Sequence, residues 1–220
     1  MNPIPEVVDL RPSFLCFDDL APFVGDDGWL DWQKLFGNSN PVELDVGCGR
    51  GLFLFNASTT QPDQNFLGVE HDFTEGRRGA KRLLKRQQPN ARVIGGDANY
   101  LLDHLILPAS LASVHVYFPD PWWKRKHRRR RLFTDLFADR VARVLQPGGL
   151  LHMWTDVADY FEIVEALLNH HAQFSQLPPP AERIATNPLD YQTSFERTRR
   201  QAGLPIHRGQ WHRLNNTTIP

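Results

Sequence analysis

The chain has 220 residues, of which 41% are hydrophobic and 23% are charged, and this composition predicts one core, with or without an extension. Lysine and arginine number 25, and aspartate and glutamate also number 25. This balance excludes a protein that binds polyanions over a uniformly basic surface. The first residues, "MNPIPEVVDL", lack the pattern of a signal peptide, and nowhere do about 18 apolar residues follow one another. We therefore expect a cytoplasmic protein that has no membrane partner.

The first 40 residues differ in pattern from the rest. Four prolines interrupt residues 1–40, which predicts an irregular N-terminal extension. From Pro41 onward, short apolar runs alternate with stretches of helical periodicity, so residues 41–220 are expected to form one domain.

The alternation of elements predicts the fold class. The predicted strands are 42–46, 66–69, 93–94, 114–118 and 150–154. The predicted helices are 52–59, 74–86, 99–105, 131–145 and 158–171, and "QPGG" at 146–149 is expected to stop the fourth of them. Such alternation is typical of an α/β fold with a Rossmann-like, doubly wound, mainly parallel sheet that has helices on both faces. Ligands of these sheets bind at the carboxyl ends of the strands.

A glycine loop, residues 47–51, follows the first predicted strand. Gly47, Gly49 and Gly51 allow a tight turn and close approach to a ligand, although a purely structural turn would have the same composition. A dinucleotide fingerprint would need glycine at position 52, where the chain has leucine. The pattern G-x-G-x-G after Asp45 instead resembles the first motif of S-adenosylmethionine-dependent methyltransferases, in which the loop holds the methionine end of the cofactor.

Two further acids follow the next predicted strands. Glu70 lies 19 residues after Gly51, and a carboxylate at this position can accept hydrogen bonds from both ribose hydroxyls. Asp97 alone would be interpreted as a helix cap. In methyltransferases of this class the position contacts adenine, which implies that Asp97 and the adjacent Ala98 also bind the cofactor.

The stretch "YFPDPWWKRKHRRRRLF", residues 117–133, combines a carboxylate, aromatic rings and cations. Prolines on both sides of Asp120 restrict its backbone, and this acid follows the fourth predicted strand, where a methyl acceptor should lie. Trp122 and Trp123 could stack on a base or pack in the core. Thirteen of the 25 cations lie in 77–86 and 124–131. Such runs match a phosphate backbone, although many charge runs are merely solvated.

Three motifs resemble those of one family, the bacterial tRNA (guanine-N7-)-methyltransferases. "PDPWWKRKHRRRRLF" is similar to its D-P-W-x-K-[KR]-[KR]-H-x-[KR]-R-R-L, and "WTDVADYF" is similar to its T-D-x-x-x-Y. "TSFERTRRQAGLPIHRGQW" is similar to T-x-[FY]-E-x-[KR] followed by G-x-x-I. The resemblance covers about residues 41–213 and implies a class I methyltransferase fold. It also implies that S-adenosylmethionine methylates N7 of a tRNA guanine, expected in the variable loop, and leaves S-adenosylhomocysteine.

The resemblance also assigns roles to individual residues. The implied cofactor-binding residues are Asp45, Gly47, Gly49, Gly51, Glu70, Asp97, Ala98 and Asp120. The implied contacts to tRNA or its guanine are Lys124, Asp156, Thr193, Phe195 and Glu196. From the density of the basic run, Arg128 and Arg129 are expected to hold the RNA backbone. Asp120 is the expected catalytic residue, because a carboxylate can accept hydrogen bonds from the Watson–Crick edge of guanine or balance the charge that grows on the purine. No metal is expected.

The sequence departs from the family pattern at three positions. The family often has glutamate where Asp45 stands, proline where Trp123 stands and a cation where Thr198 stands. These changes leave open how the shorter acid reaches its partner and which course the tryptophan loop takes.

Two other functions remain as alternatives. The first is an amino-group methyltransferase of the same fold that acts on another nucleic acid, since "DPWW" is distantly similar to D-P-P-[YFW]. The second is a non-catalytic RNA-binding module with a vestigial cofactor pocket. The sequence is compatible with a monomer or a homodimer, and no histidine is assigned a catalytic role.

Overall fold

The computed structural model describes residues 9–182, 184–187 and 190–215. The strands are β1 (Phe14–Cys16), β2 (Val42–Val46), β3 (Asn65–Glu70), β4 (Ala91–Gly95), β5 (Leu111–Tyr117), β6 (Leu145–Thr155), β7 (Phe174–Leu177) and β8 (His207–Arg213). The α-helices are α1 (Trp32–Phe36), α2 (Leu52–Thr60), α3 (Phe73–Lys85), α4 (Ala98–His104), α5 (Asp135–Val144), α6 (Ala158–His170) and α7 (Ser194–Gln201). Within these ranges, two 3-10 helices cover Phe17–Phe23 and Arg125–Arg130.

The strands described here form one sheet in the order β1-β4-β3-β2-β5-β6-β8-β7. The first six in this order run parallel, and β8 pairs antiparallel with β6 and β7. Successive residues of one strand point to opposite faces, so Phe66 packs with α2 and α3 while Leu67 packs with α4 and α5. The predicted α/β sheet with helices on both faces is confirmed.

Strands β3 and β4 extend the sheet on one side of β2, and β5 and β6 extend it on the other. The strand order therefore changes direction between β2 and β5. Val46 of β2 pairs with Val69 of β3 on one side and with Val116 of β5 on the other. The carboxyl ends of these strands therefore lie level with one another. The crevice at this switch point is where ligands of doubly wound sheets bind.

Two predicted boundaries need correction. Helix α5 begins at Asp135 rather than at 131, because the Thr134 hydroxyl accepts a hydrogen bond from the Phe137 N–H and caps the helix there. The sequence "QPGG" does follow the end of α5, but it lies within β6. The pairing of β6 with β5 skips these residues, and Gly148 has a φ of 78°, as in a bulge.

The expected irregular extension is wrong for much of residues 9–40. Strand β1 joins the sheet beside β4, and α1 begins where Asp31 caps it. Leu15, Leu20 and Leu35 are buried in the main core, so their apolar side chains outweigh the prolines around them. The boundary between 40 and 41 stays a prediction. No helix in the described ranges is both long and apolar enough to cross a membrane.

Candidate active site

Two neighbouring cavities lie at the carboxyl ends of β2 to β5. The α7 cavity, of about 290 Å³, is lined by Asp45, the glycine loop and residues 193–195. The acidic cavity, of about 350 Å³, is lined by Glu70, Asp97 and Asp120. The residues that line both are Gly47, Tyr117 and Phe118. These three residues form a wall that the two cavities share, called the shared wall below. The four acids predicted from the sequence therefore face one cleft made of both cavities.

The glycine loop has a backbone that other residues rarely adopt. Gly47, Gly49 and Gly51 have φ values of 75°, 51° and 62°, in the left-handed region that costs other residues about 1–2 kcal/mol. A Cβ on Gly51 would also lie 3.2 Å from the Cα of Gly79 in α3. Glycine is thus required at this turn for conformation and for close packing against α3.

Glu70 is fixed at the end of β3 by two backbone groups. The Gly49 N–H donates to its Oε2 and the Asp72 N–H donates to its Oε1, both at 2.8 Å. A carboxylate oxygen can accept more than one hydrogen bond, so Glu70 still has acceptor capacity toward the acidic cavity. The contact with Gly49 also joins the tip of β3 to the glycine loop.

Asp97 combines the two roles considered from the sequence. Its Oδ1 accepts hydrogen bonds from the N–H groups of Asn99 and Tyr100, so it caps α4. Asp97 is also exposed, and it lines the acidic cavity together with Ala98. The cap orients the carboxylate at the rim of the cleft.

Asp45 is the buried acid of the group, with 3% of its surface exposed. Burial, followed by the negative charge of Glu70, raises the pKa of Asp45 from 3.8 to about 8. An acid with this pKa carries a proton at neutral pH. A cation that entered the α7 cavity would favour its ionised form instead.

Asp120 lies in a strained turn after β5. Phe118 and Trp122 have positive φ values of 54° and 42°, which bulky residues rarely adopt. The turn is held by the Phe118 N–H, which donates to the Trp154 carbonyl at 2.7 Å, and by Arg131 Nε, which donates to the Pro121 carbonyl at 2.7 Å. These contacts present Asp120 to the acidic cavity.

Neither tryptophan of this turn packs in the described core. Trp122 lines the acidic cavity, and its ring stacks on His127 at 5.5 Å with the Arg130 guanidinium 5.1 Å from its centre. Trp123 is 46% exposed and lies 5.5 Å from the Arg131 guanidinium. The two rings thus join the acid-bearing turn to the cations that follow it.

The basic segment, residues 124–131, contains one 3-10 helix at the rim of the cleft. Lys124 and Arg129 are exposed, and Arg130 lines the acidic cavity beside Trp122. The side chain of Arg128 lies outside the described part of the structure. A phosphate backbone at this rim would meet several cations together.

The start of α7 forms the opposite wall of the cleft. The Thr193 hydroxyl accepts a hydrogen bond from the Glu196 N–H at 3.0 Å and caps the helix. Phe195 is 44% exposed, and its ring centre lies 4.9 Å from that of Phe118. Thr193 and Phe195 are therefore placed where an acceptor base could enter.

Two predicted substrate contacts are instead engaged by arginines. Asp156 Oδ2 forms an ion pair with Arg199 at 2.9 Å. Glu196 is 3% exposed and pairs with Arg200 at 3.3 Å and Arg208 at 3.4 Å. Neither acid lines the two cavities, so both act here as supports of α7, and their contact to guanine stays a prediction.

Comparison with known proteins identifies the family of the chain. The family described as "Putative methyltransferase" matches residues 39–208. A tRNA (guanine-N(7)-)-methyltransferase of Rhodopirellula baltica is 42% identical over 182 residues, which are 80% of this chain and 67% of the relative. The enzyme of the same name from Sodalis glossinidius is 35% identical over 212 residues, which are 92% of this chain and 84% of the relative. The chain belongs to the tRNA (guanine-N7-)-methyltransferase family.

Solved structures support the fold of this tRNA (guanine-N7-)-methyltransferase family member. The 16S rRNA methyltransferase KamB superposes with a TM-score of 0.61 at 15% identity, over 87% of this chain and 94% of its own. The aminoglycoside resistance methyltransferase NpmB1 gives a TM-score of 0.53 at 15% identity, over 81% and 90%. At such identities the likeness concerns the fold alone, and it confirms the predicted class I methyltransferase fold.

Sequence reasoning missed Tyr117, which lines both cavities of the methyltransferase. The ring nitrogens of the buried His115 lie 2.7 Å from Glu43 Oε2 and 2.9 Å from the Tyr117 hydroxyl. Burial, followed by the charge of His115, lowers the pKa of the neighbouring His152 to about 3. The period-two pattern of β5, which places 115 and 117 on one face, is the signal that could have indicated this support.

No group of three or more possible metal-ligating side chains occurs within the described ranges. The absence of a metal stays a prediction for this tRNA (guanine-N7-)-methyltransferase family member.

Proposed function

We propose that this chain transfers a methyl group from S-adenosylmethionine to N7 of a guanine in tRNA, with the guanine of the variable loop as the target. The observation that carries the proposal is the convergence of Asp45, Glu70, Asp97 and Asp120 on one cleft beside the basic segment. Family membership supports the same reaction and the same class of substrate.

The residues of the cleft fit the cofactor. Burial and the charge of Glu70 raise the pKa of Asp45, so a cation placed beside this acid would favour its ionised form. The ammonium of the methionine part would supply that cation. Glu70 would accept hydrogen bonds from the ribose hydroxyls, and Asp97 with Ala98 would contact the adenine. Bound S-adenosylmethionine supplies an electrophilic methyl group on a positively charged sulfur.

Methylation at guanine N7 needs little help from a general base. Guanine N7 carries an in-plane lone pair and attacks without first losing a proton, so positioning and charge stabilisation dominate. Asp120 would accept hydrogen bonds from the N1–H and amino group of the base or balance the positive charge that grows on the ring. Phe118 and Phe195, whose rings lie 4.9 Å apart, offer apolar surface beside the shared wall.

The test is nucleoside mass spectrometry of tRNA incubated with labelled S-adenosylmethionine. Wild type should form labelled 7-methylguanosine, and cleavage of the tRNA into fragments should place it in the variable loop. Asp120→Ala should lower turnover roughly 10²- to 10³-fold, as when a charge-stabilising group is removed. Asp63→Ala is the matched control, because Asp63 is an exposed acid before the amino end of β3.

The other outcomes separate the alternatives. Undiminished product from Asp120→Ala would remove Asp120 from the mechanism. Label on an exocyclic amine, with DNA as good a substrate as tRNA, would establish the amino-group methyltransferase. Calorimetry that shows no saturable heat with S-adenosylmethionine would establish the vestigial pocket.

A further inference from the structure

Three arginines from separate elements, Arg50, Arg82 and Arg197, lie near enough to one another for the charges of Arg50 and Arg197 to act on Arg82. Arg50 lies in the glycine loop and lines the α7 cavity. Arg197 lies on α7, two residues after Phe195 of the cavity wall. Arg82 lies on α3, one helical turn after Gly79, and a Cβ on Gly79 would lie 3.1 Å from the carbonyl carbon of Arg50. The face of α3 that bears Arg82 is therefore the face that packs on the glycine loop.

The cations of α3 lie in different environments. Arg77 lies 5.5 Å over the Phe14 ring and lines a separate cavity with Asp9 and Asp19. Arg78 pairs with Glu75. Those two arginines thus have partners within the protein.

Arg82 has a different environment. Within the described ranges it forms no ion pair, and its Nη1 is shielded from solvent without a hydrogen-bond partner. A buried donor without an acceptor destabilises the folded chain.

Charge adds to this cost. Burial, followed by the positive charges of Arg197 and Arg50, lowers the pKa of Arg82. Glu75 pairs with Arg50 at 2.5 Å and also with Arg78. Its single negative charge therefore neutralises only part of the positive charge of the three arginines. An anion that accepts hydrogen bonds at this position would relieve both the repulsion and the unpaired donor.

We propose that Arg50, Arg82 and Arg197 form a binding site for a backbone phosphate of the tRNA, next to the nucleotide that is methylated. The proposal rests on the proposed function and extends it. Arg50 lines the α7 cavity together with residues 193–195, whereas Arg130 of the basic segment lines the acidic cavity. The target nucleotide would then be held from both sides of the cleft.

The experiment measures tRNA affinity at several salt concentrations for Arg82→Gln and Arg197→Gln. Each phosphate contact contributes roughly 0.7 to 0.9 to the slope of log affinity against log salt, so each variant should lower the slope by about that amount. Arg77→Gln is the matched control, because it removes an arginine from the same helix at a site away from the cleft. Its slope should equal that of wild type. Arg82→Lys should retain most of the slope, since it keeps the charge.

Binding of S-adenosylmethionine, measured by calorimetry, checks both folding and the identity of the anion. Unchanged cofactor affinity in Arg82→Gln with a reduced salt slope supports the phosphate site. Weakened cofactor affinity with an unchanged tRNA slope would overturn it, because the arginines would then bind the carboxylate of the cofactor. Equal slopes for Arg82→Gln and Arg77→Gln would also overturn it. Failure of wild type to form 7-methylguanosine would count against the proposed function, whereas the slope comparison tests the arginine site in either case.

Discussion

The acids of the cleft and the cations around it are held in different ways. Glu70 and Asp97 each accept two backbone N–H groups at strand or helix ends, and Asp45 is buried within β2. Lys124 and Arg129 extend from a surface segment and are exposed. The acids thus have fixed positions that a small ligand can match, while the cations offer a diffuse charge suited to a flexible polyanion.

This difference predicts two kinds of response to mutation. Changing an acid should alter one step sharply and in a pH-dependent or cofactor-specific way. Changing one exposed cation should weaken tRNA binding modestly and in proportion to the charge removed.

The largest effect is expected from Asp45, through the pH dependence of stability. Its pKa of about 8 in the folded chain exceeds the ordinary value of 3.8 because of burial and Glu70, so the folded state holds a proton that the unfolded state releases. Between about pH 4 and 8 the cofactor-free protein should therefore lose stability as pH rises, by up to roughly 1.4 kcal/mol per pH unit from this group. Asp45→Asn should remove this loss. The stability of the variant relative to wild type, measured by thermal unfolding, should therefore increase as the pH rises toward 8.

Asp63→Asn is the control for this measurement, because it removes an exposed acid. Its stability should follow wild type at each pH. Parallel curves for Asp45→Asn and wild type would show that Asp45 ionises normally.

The next effect is expected from Glu70→Gln, measured as the dissociation constant of S-adenosylmethionine by calorimetry. Hydrogen bonds to charged groups contribute about 1.5–3 kcal/mol each, so the variant should bind the cofactor roughly 10- to 100-fold more weakly. Glu165→Gln, a change at a half-buried residue of α6 that lines neither cavity of the cleft, should bind it normally. An unchanged constant for Glu70→Gln would mean that this acid serves only the glycine loop.

The smallest effect is expected from Lys124→Gln and Arg129→Gln. Each should weaken tRNA binding several-fold at low salt and reduce the salt slope by roughly one, with cofactor affinity unchanged. Lys34→Gln is the control, because Lys34 lies on α1 before the amino end of β2 and donates to the Val24 carbonyl. If Lys124→Gln matched Lys34→Gln, the basic segment would be a solvated surface.

Much of the sheet and its acid-bearing tips could be predicted because their signals are local. The apolar run 42–46 followed by glycine gave β2 with the same bounds, and the helix predicted at 74–86 is α3, capped by Asp72. Strand β1 was missed because three residues among prolines carry no period, and its pairing of Phe14 with Val93 joins distant parts of the chain.

Features that depend on tertiary contact could not be predicted. Arg50, Arg82 and Arg197 lie in separate elements, and no spacing rule brings them together. The burial of Glu196 beneath Arg200 and Arg208 depends on the path of β8 beside β6. The positive φ of Phe118 could not be predicted from the sequence either, because it depends on the hydrogen bond that anchors the turn to Trp154.

The close approach of Gly51 and Gly79 makes the position of the glycine loop depend on a residue outside the cleft. Gly79 lines neither cavity, yet a Cβ there would lie 3.1 Å from the carbonyl carbon of Arg50 and 3.2 Å from the nitrogen of Gly51, closer than most Cβ contacts. An added methyl group would require a shift of a few tenths of an ångström between the glycine loop and α3. A substitution at position 79 would therefore change the shape of the α7 cavity from outside it.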